Sequence, residues 1–273
     1  MRFEFQAERP LALRRATAAN SLRGAFGHAF RHFAERTGKS AIYAQVFEPK
    51  IKGGPSGFAF PPRPFVLRPR GFDEGAKSVS SFALDVYLFD LRDELPPLFT
   101  SVFNEWSKTG LGPAKVPIKL VAAHSPDQLE LEFGDSNLPA IDRLRLRFCT
   151  PTELKGDGQI AENPEFVVLF ARIRDRVSAL LHLYQGAELK LDPRAWGREA
   201  QSVKLLDSQL RHHAITRLSS RTGQRHSIGG FTGWAEYAGN LGDFMPWLKI
   251  AYWTGVGRQT VWGKGEIQVD GIL

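Results

Sequence analysis

The chain has 273 residues, 42% of them hydrophobic and 24% charged, with 36 Lys and Arg against 29 Asp and Glu and one cysteine, Cys149. This length and apolar content suit two domains with real cores, and a lone cysteine excludes an internal disulfide or a thiolate metal cluster. No run approaches the roughly 18 apolar residues that cross a bilayer, and the opening MRFEFQAERP lacks a signal peptide's apolar block, so a cytoplasmic protein without a membrane partner is expected.

The formal charge of +7 is unevenly placed. From Arg9 to Arg36 there are six arginines and one acid, Glu35; from Lys204 to Arg225 there are five Lys/Arg and one acid, Asp207. Two basic segments far apart in sequence fit two walls of one nucleic-acid groove.

In chain order, RFEFQAE alternates and predicts a strand. Asn20 or Ser21 then caps a helix with an apolar stripe of Leu22, Ala25, Phe26, Ala29, Phe30 and Phe33. The stretch from Pro49 to Pro64 is a Gly/Pro-rich loop. PFVLRP and SVSSFALDVYLFDL predict strands, the second with Phe82, Leu84, Val86 and Leu88 on one face. ELPPLFTSVFNEWSKTG is a helix ending at Gly110, and KVPIKLVAA and DQLELEFG predict further strands. The second half repeats the order. DRLRLRFCT alternates Leu144, Leu146 and Phe148 inward with Arg143, Arg145 and Arg147 outward. Asn163 caps a helix from Pro164 to about Tyr184. Ser208–Leu218 and His226–Tyr237 pair across a turn near Gly223. A helix over Leu241–Trp253 and a strand over Gly263–Val269 close the chain. The expected fold is α+β: two tandem ferredoxin-like (βαββαβ, RRM-like) domains, 1–137 and 138–273.

Near the end stands GVGRQTVWGKG, Gly255 to Gly265. It fails as a dinucleotide fingerprint, because Thr260 occupies the third glycine's place and the order is helix then strand. It fails as a P-loop, because Arg258 stands where the first glycine belongs and Gly265 follows Lys264. What remains is a flexible backbone in which the amides of Gly255, Gly257, Gly263 and Gly265, with Arg258 and Lys264, can hold phosphates; the plain alternative is a tight turn.

Four blocks in order carry a resemblance: SLRGAFGHAFR; YAQVFEPK with PPRPFVLRP; RLRFCTPTELK before ENPEFVVLFARIRDRVSALL; and GGFTGWAEYAGNLGDFMPWLKIAYWTGVGRQTVWGKG. Together they resemble the CRISPR-associated endoribonucleases that cut precursor crRNA within its repeats, members of the repeat-associated mysterious protein superfamily with a C-terminal glycine-rich loop. The resemblance implies binding of CRISPR repeat RNA and cleavage with neither metal nor cofactor. Attack by a 2′-hydroxyl leaves a cyclic phosphate and a 5′-hydroxyl. It also implies an alternative, a non-catalytic crRNA-binding subunit of a multisubunit effector complex. The cysteines that many relatives carry before VFE are missing from RTGKSAIYAQ.

At about 100° per residue, Gly24, Gly27, His28 and Arg31 fall opposite the apolar stripe. A helix-interior glycine costs roughly 1 kcal/mol relative to Ala, so two there need a reason, and room for an RNA backbone beside the imidazole supplies one. Histidine can take or give a proton near neutrality, and neighbouring cations stabilise charge on the phosphate. The candidate catalytic residues are therefore His28, with Arg23 and Arg31 either assisting or replacing it. His32 is expected to pack. The resemblance adds Tyr43 as a catalytic helper and Lys52 beside it. Arg211, His212, Arg217, Arg221 and Arg225 are candidates for the RNA surface. His212 and His213 are adjacent on a strand and point to opposite faces, which argues against a metal site.

Overall fold

The structure is a computed structural model. It describes residues 1–13, 15–49, 61–72, 78–124, 128–130, 140–156, 158–214, 216–218, 225–227 and 229–272, without the side chains of 15–17, 216–218 and 225–227.

The first half runs β1 (Arg2–Leu11), α1 (Arg15–Arg36), α2 (Ser40–Phe47), β2 (Phe65–Arg70), β3 (Val79–Leu88), α3 (Leu95–Asn104), α4 (Trp106–Thr109) and β4 (Ile118–His124). The second runs β5 (Arg143–Thr152), β6 (Lys155–Gly156), β7 (Gln159–Ile160), α5 (Phe166–Gln185), α6 (Pro193–Ser202), β8 (Lys204–His213), β9 (Thr216–Leu218), β10 (Arg225–Ser227), β11 (Gly230–Ala238), α7 (Met245–Thr254) and β12 (Ile267–Ile272). The sheets are ordered β2-β3-β1-β4 and β12-β5-β11-β8, each antiparallel. Both place the first and third long strands of their half at the centre, as the tandem ferredoxin-like expectation requires.

Alternation decides which face each sheet buries. Phe3 and Phe5 of β1 and Phe82, Leu84 and Val86 of β3 go inward under α1 and α3. Leu144, Leu146 and Phe148 of β5 go inward under α5 and α7. Helix ends follow ordinary chemistry. α3 carries proline in its first turn, where a missing N–H costs nothing. α5 stops at left-handed Gly186, whose N–H donates to Leu181 O.

Three local expectations need correction. α1 begins at Arg15, so Asn20 lies inside the helix instead of capping it, with its Oδ1 buried. The residue flanking α5 is Glu165, not Asn163, and its side chain makes no capping bond. Most of DQLELEFG lies outside the described residues, and 128–130 within it are not in a strand.

The halves join through charge as well as apolar packing. Arg68 of β2 is buried, donates to the Tyr252 carbonyl of α7 and sits 3.4 Å from Glu266. Arg70 bridges Asp85 at 2.9 Å and Glu266 at 2.8 Å. Burial lowers the pKa of Arg68, while Glu266 and Asp85 outweigh burial at Arg70 and raise it. Removing Glu266 would leave the buried Arg68 guanidinium without its charge partner at the junction.

Candidate active site and nucleic-acid interface

α1 presents two unlike sides. Leu22, Phe26, Ala29 and Phe30 are buried; Gly24, His28 and Arg31 are exposed. His32 is also exposed, so it does not pack as expected. The two glycines turn out to differ. A Cβ on Gly24 would meet nothing within 4 Å, whereas one on Gly27 would sit 2.9 Å from Phe47 Cε1. The expectation that both clear room for RNA is corrected at Gly27: the protein's own ring fills that space. Gly24 remains open beside His28.

Phe47 is delivered by α2, a short helix that the periodicity did not reveal. The same helix sets Tyr43 parallel to Phe47, ring centroids 5.2 Å apart, and edge-on to Phe30 at 5.8 Å. Burial, with Glu48 nearby, pushes the Tyr43 hydroxyl above its usual pKa, so at neutral pH it is a proton donor and not a base. Arg31 is tied to Glu35 one turn on, Nε to Oε1 3.0 Å, which raises its pKa. Arg31, Glu35, Ser40, Tyr43 and Glu48 line an open cleft of about 350 Å³. Arg23 lies over two rings, Phe47 at 5.6 Å and Trp262 at 5.8 Å.

Trp262 belongs to the glycine-rich segment, which crosses from the second half onto α1. Val261 is buried in the first half's core. A Cβ on Gly263 would come within 2.8 Å of both the Ala19 side chain and the Leu67 carbonyl oxygen. Gly255, Gly257, Gly263 and Gly265 all have φ between 69° and 79°, a region that glycine enters freely. Cβ atoms on Gly257 and Gly265 would collide with the Glu153 and Val256 carbonyls. The amides differ from the expected open phosphate cradle: Gly255 donates to Ala251 O, Gly263 to Thr260 O and Gly265 to Pro151 O. The cations are engaged too. Arg258 pairs with buried Glu153, and Lys264 donates to Gly229 O and Gln259 Oε1. Burial lowers the Lys264 pKa to about 8. The segment is a packed connector that lies against α1 and β2.

On the other candidate surface, Arg211 and His212 are exposed on β8, with the His212 ring 6.0 Å from Phe231. Beyond them β9 and β10 extend the hairpin and pair His226 with Arg217 and Arg225 with Leu218. The side chains of Arg217 and Arg225 are not described, and Lys52 and Arg221 lie outside the described residues. Among the described residues, no three His, Cys, Asp or Glu gather as metal ligands, and no helix is long and apolar enough to cross a membrane.

A sequence model of the family described as CRISPR-associated endoribonuclease Cas6 matches residues 146–267, and one described as an N-terminal domain matches 1–136. These matches support a Cas6-type CRISPR-associated protein. No curated protein sequence matches it. Solved structures resemble the chain end to end. A Cas6 product complex aligns with a TM-score of 0.64 over 98% of both chains at 19% identity. Thermus thermophilus Cas6 aligns with 0.58 over 98% of this chain and 96% of its own, at 18% identity. A Cas6-related protein from Pyrococcus furiosus gives 0.52 over 98% of both, at 11% identity. At such identities the likeness establishes the fold, two ferredoxin-like domains in tandem.

Proposed function

We propose that this chain binds CRISPR repeat RNA and cuts precursor crRNA without a metal ion. In this reading the 2′-oxygen bonds to the adjacent phosphorus as the bond from phosphorus to the 5′-oxygen breaks. One proton leaves the 2′-hydroxyl and one reaches the 5′-oxygen, giving 2′,3′-cyclic phosphate and 5′-hydroxyl ends. His28 takes or supplies one of these protons. Tyr43, kept protonated, acts only as a donor. Arg31 exchanges Glu35 for phosphate as charge builds there, while Arg23 holds the neighbouring rings in place.

The observation that carries the reading is the meeting on α1 of exposed His28, the open ground at Gly24, and a glycine-rich connector from the other half. Further support comes from solved Cas6 relatives that include product and substrate-mimic complexes and a variant with a histidine replaced by alanine. The test is repeat RNA in chelator, with the 2′-hydroxyl upstream of the cut replaced by hydrogen. Binding should persist and cutting should stop. A deoxy substrate cut at the same position sinks the mechanism. Binding of the unmodified RNA without any cutting would instead identify an RNA-holding subunit.

A further inference from the structure

The outer face of the second sheet, turned away from α5 and α7, carries a tryptophan near its centre. Register places Trp234 of β11 between Arg147 of β5 and Gln209 of β8. The indole Nε1 donates to Gln209 Oε1 at 3.1 Å, and the Arg145 guanidinium lies over the ring 4.4 Å from its centroid. Glu236 holds Arg145 and Arg143 from below, and its side chain is only 6% exposed against 37% and 49% for theirs. What meets solvent is therefore a layer of guanidinium groups and part of a half-buried indole, with the compensating carboxylate underneath. Arg147, 58% exposed, and Arg211 flank the ring on either side.

An indole on an open sheet face gains little from packing, and Gln209 and Glu236 fix its surroundings as a folded core network would. Rings and guanidinium planes ordered in this way are what unpaired bases stack on, with exposed Arg211 beside them to meet the phosphates and Arg147, paired with Asp270 at 2.8 Å, placed to exchange that carboxylate for one. We propose that this face, centred on Trp234 and Arg145, binds unpaired ribonucleotides of the RNA. It lies in the opposite half from His28. The inference rests on RNA being the chain's ligand and adds a second point of grip, for the single-stranded part of that RNA.

The probe is an octaribonucleotide carrying 4-thiouridine, photocross-linked to the full chain, with repeat-RNA cleavage scored on the same preparation. Cross-links should fall on the β11 peptide that holds Trp234. Trp234→Ala and Arg147→Glu should each weaken octamer binding, roughly five- to hundredfold for the lost stack, and Trp234→Phe should restore much of it. Thermal unfolding shows that each variant is folded, and surface Arg147→Glu carries the test if Trp234→Ala is not. Cross-links that avoid β5, β8 and β11, or folded variants with unchanged octamer affinity, overturn the inference. A cross-link at Trp234 without cleavage keeps this site and removes the nuclease reading. Cleavage without the cross-link does the reverse, and loss of both removes both.

Discussion

Gly263 and Ala19 touch across the boundary between the halves, so closely that a methyl group on the glycine would lie 2.8 Å from the alanine's. Three costs fall on one atom there: a left-handed backbone at φ 71°, the Ala19 side chain, and the Leu67 carbonyl oxygen. Gly263→Ala should cost at least about 2 kcal/mol, read as a lower urea midpoint. The connector should also lift from α1, so cleavage should fall further than stability alone explains. A variant as stable and active as the parent would show that the connector does not position the helix.

Gly24 and Gly27 should respond in opposite directions. Gly24→Ala adds a methyl to open space on a helix and should raise stability by up to about 1 kcal/mol. If RNA passes over that position, affinity for repeat RNA should drop at the same time. Gly27→Ala must displace the Phe47 ring and should lower the unfolding temperature. Gly24→Ala with unchanged RNA affinity would take the RNA backbone away from this part of α1.

These two glycines also mark how far the sequence could be read. The apolar stripe gave α1 its inward face, and strand alternation gave both sheets their buried faces, because each is a period repeated over many residues. A glycine announces only a missing side chain. Whether Phe47 or a ligand fills the space depends on a distant element, here α2, whose eight residues are too few to display a period. α6 is legible in the sequence at its start: Asp192 before Pro193 is a cap followed by a first-turn proline, and Asp192 accepts from the amides of Arg194 and Ala195. Arg68, a charge inside the apolar run FVLRP, hinted at a buried partner, but nothing local pointed to Glu266.

Tyr43→Phe separates packing from chemistry. The ring stays stacked on Phe47, so stability should change by less than about 1 kcal/mol. A hydroxyl that donates a proton or hydrogen bond to the reacting phosphate should nonetheless slow cleavage tenfold or more, measured in single-turnover reactions with saturating protein. Equal rates would leave Tyr43 as a packing residue only.

His28→Ala removes an exposed side chain from the helix surface, and alanine is the better helix former, so the fold should be unharmed. Cleavage should fall at least about 100-fold, the usual scale for a lost acid or base, with repeat-RNA affinity little changed. A small effect on rate would move the chemistry to Arg23 or Arg31. Replacing Arg31 would then produce the large loss, together with a weaker salt dependence of binding, because Arg31 faces solvent and can meet phosphate.

Lys264 offers a check through pH. Burial lowers its pKa to about 8 from an ordinary 10.5, because a charged ammonium is costly there. Below about pH 8 the lysine is protonated in both folded and unfolded chains, and that cost is constant. Between about 8 and 10.5 the unfolded chain binds more protons than the folded one, so raising the pH favours the folded state. Above that window both are neutral. Lys264→Met removes the charge along with the bonds to Gly229 O and Gln259 Oε1, and should be the less stable protein once the parent lysine is neutral. Urea midpoints taken from pH 7.5 to 10 should therefore show the parent gaining on the variant as pH rises. Parallel profiles would mean that the ammonium is well solvated, and that the connector is looser around Lys264 than its packing against Gly229 and Gln259 implies.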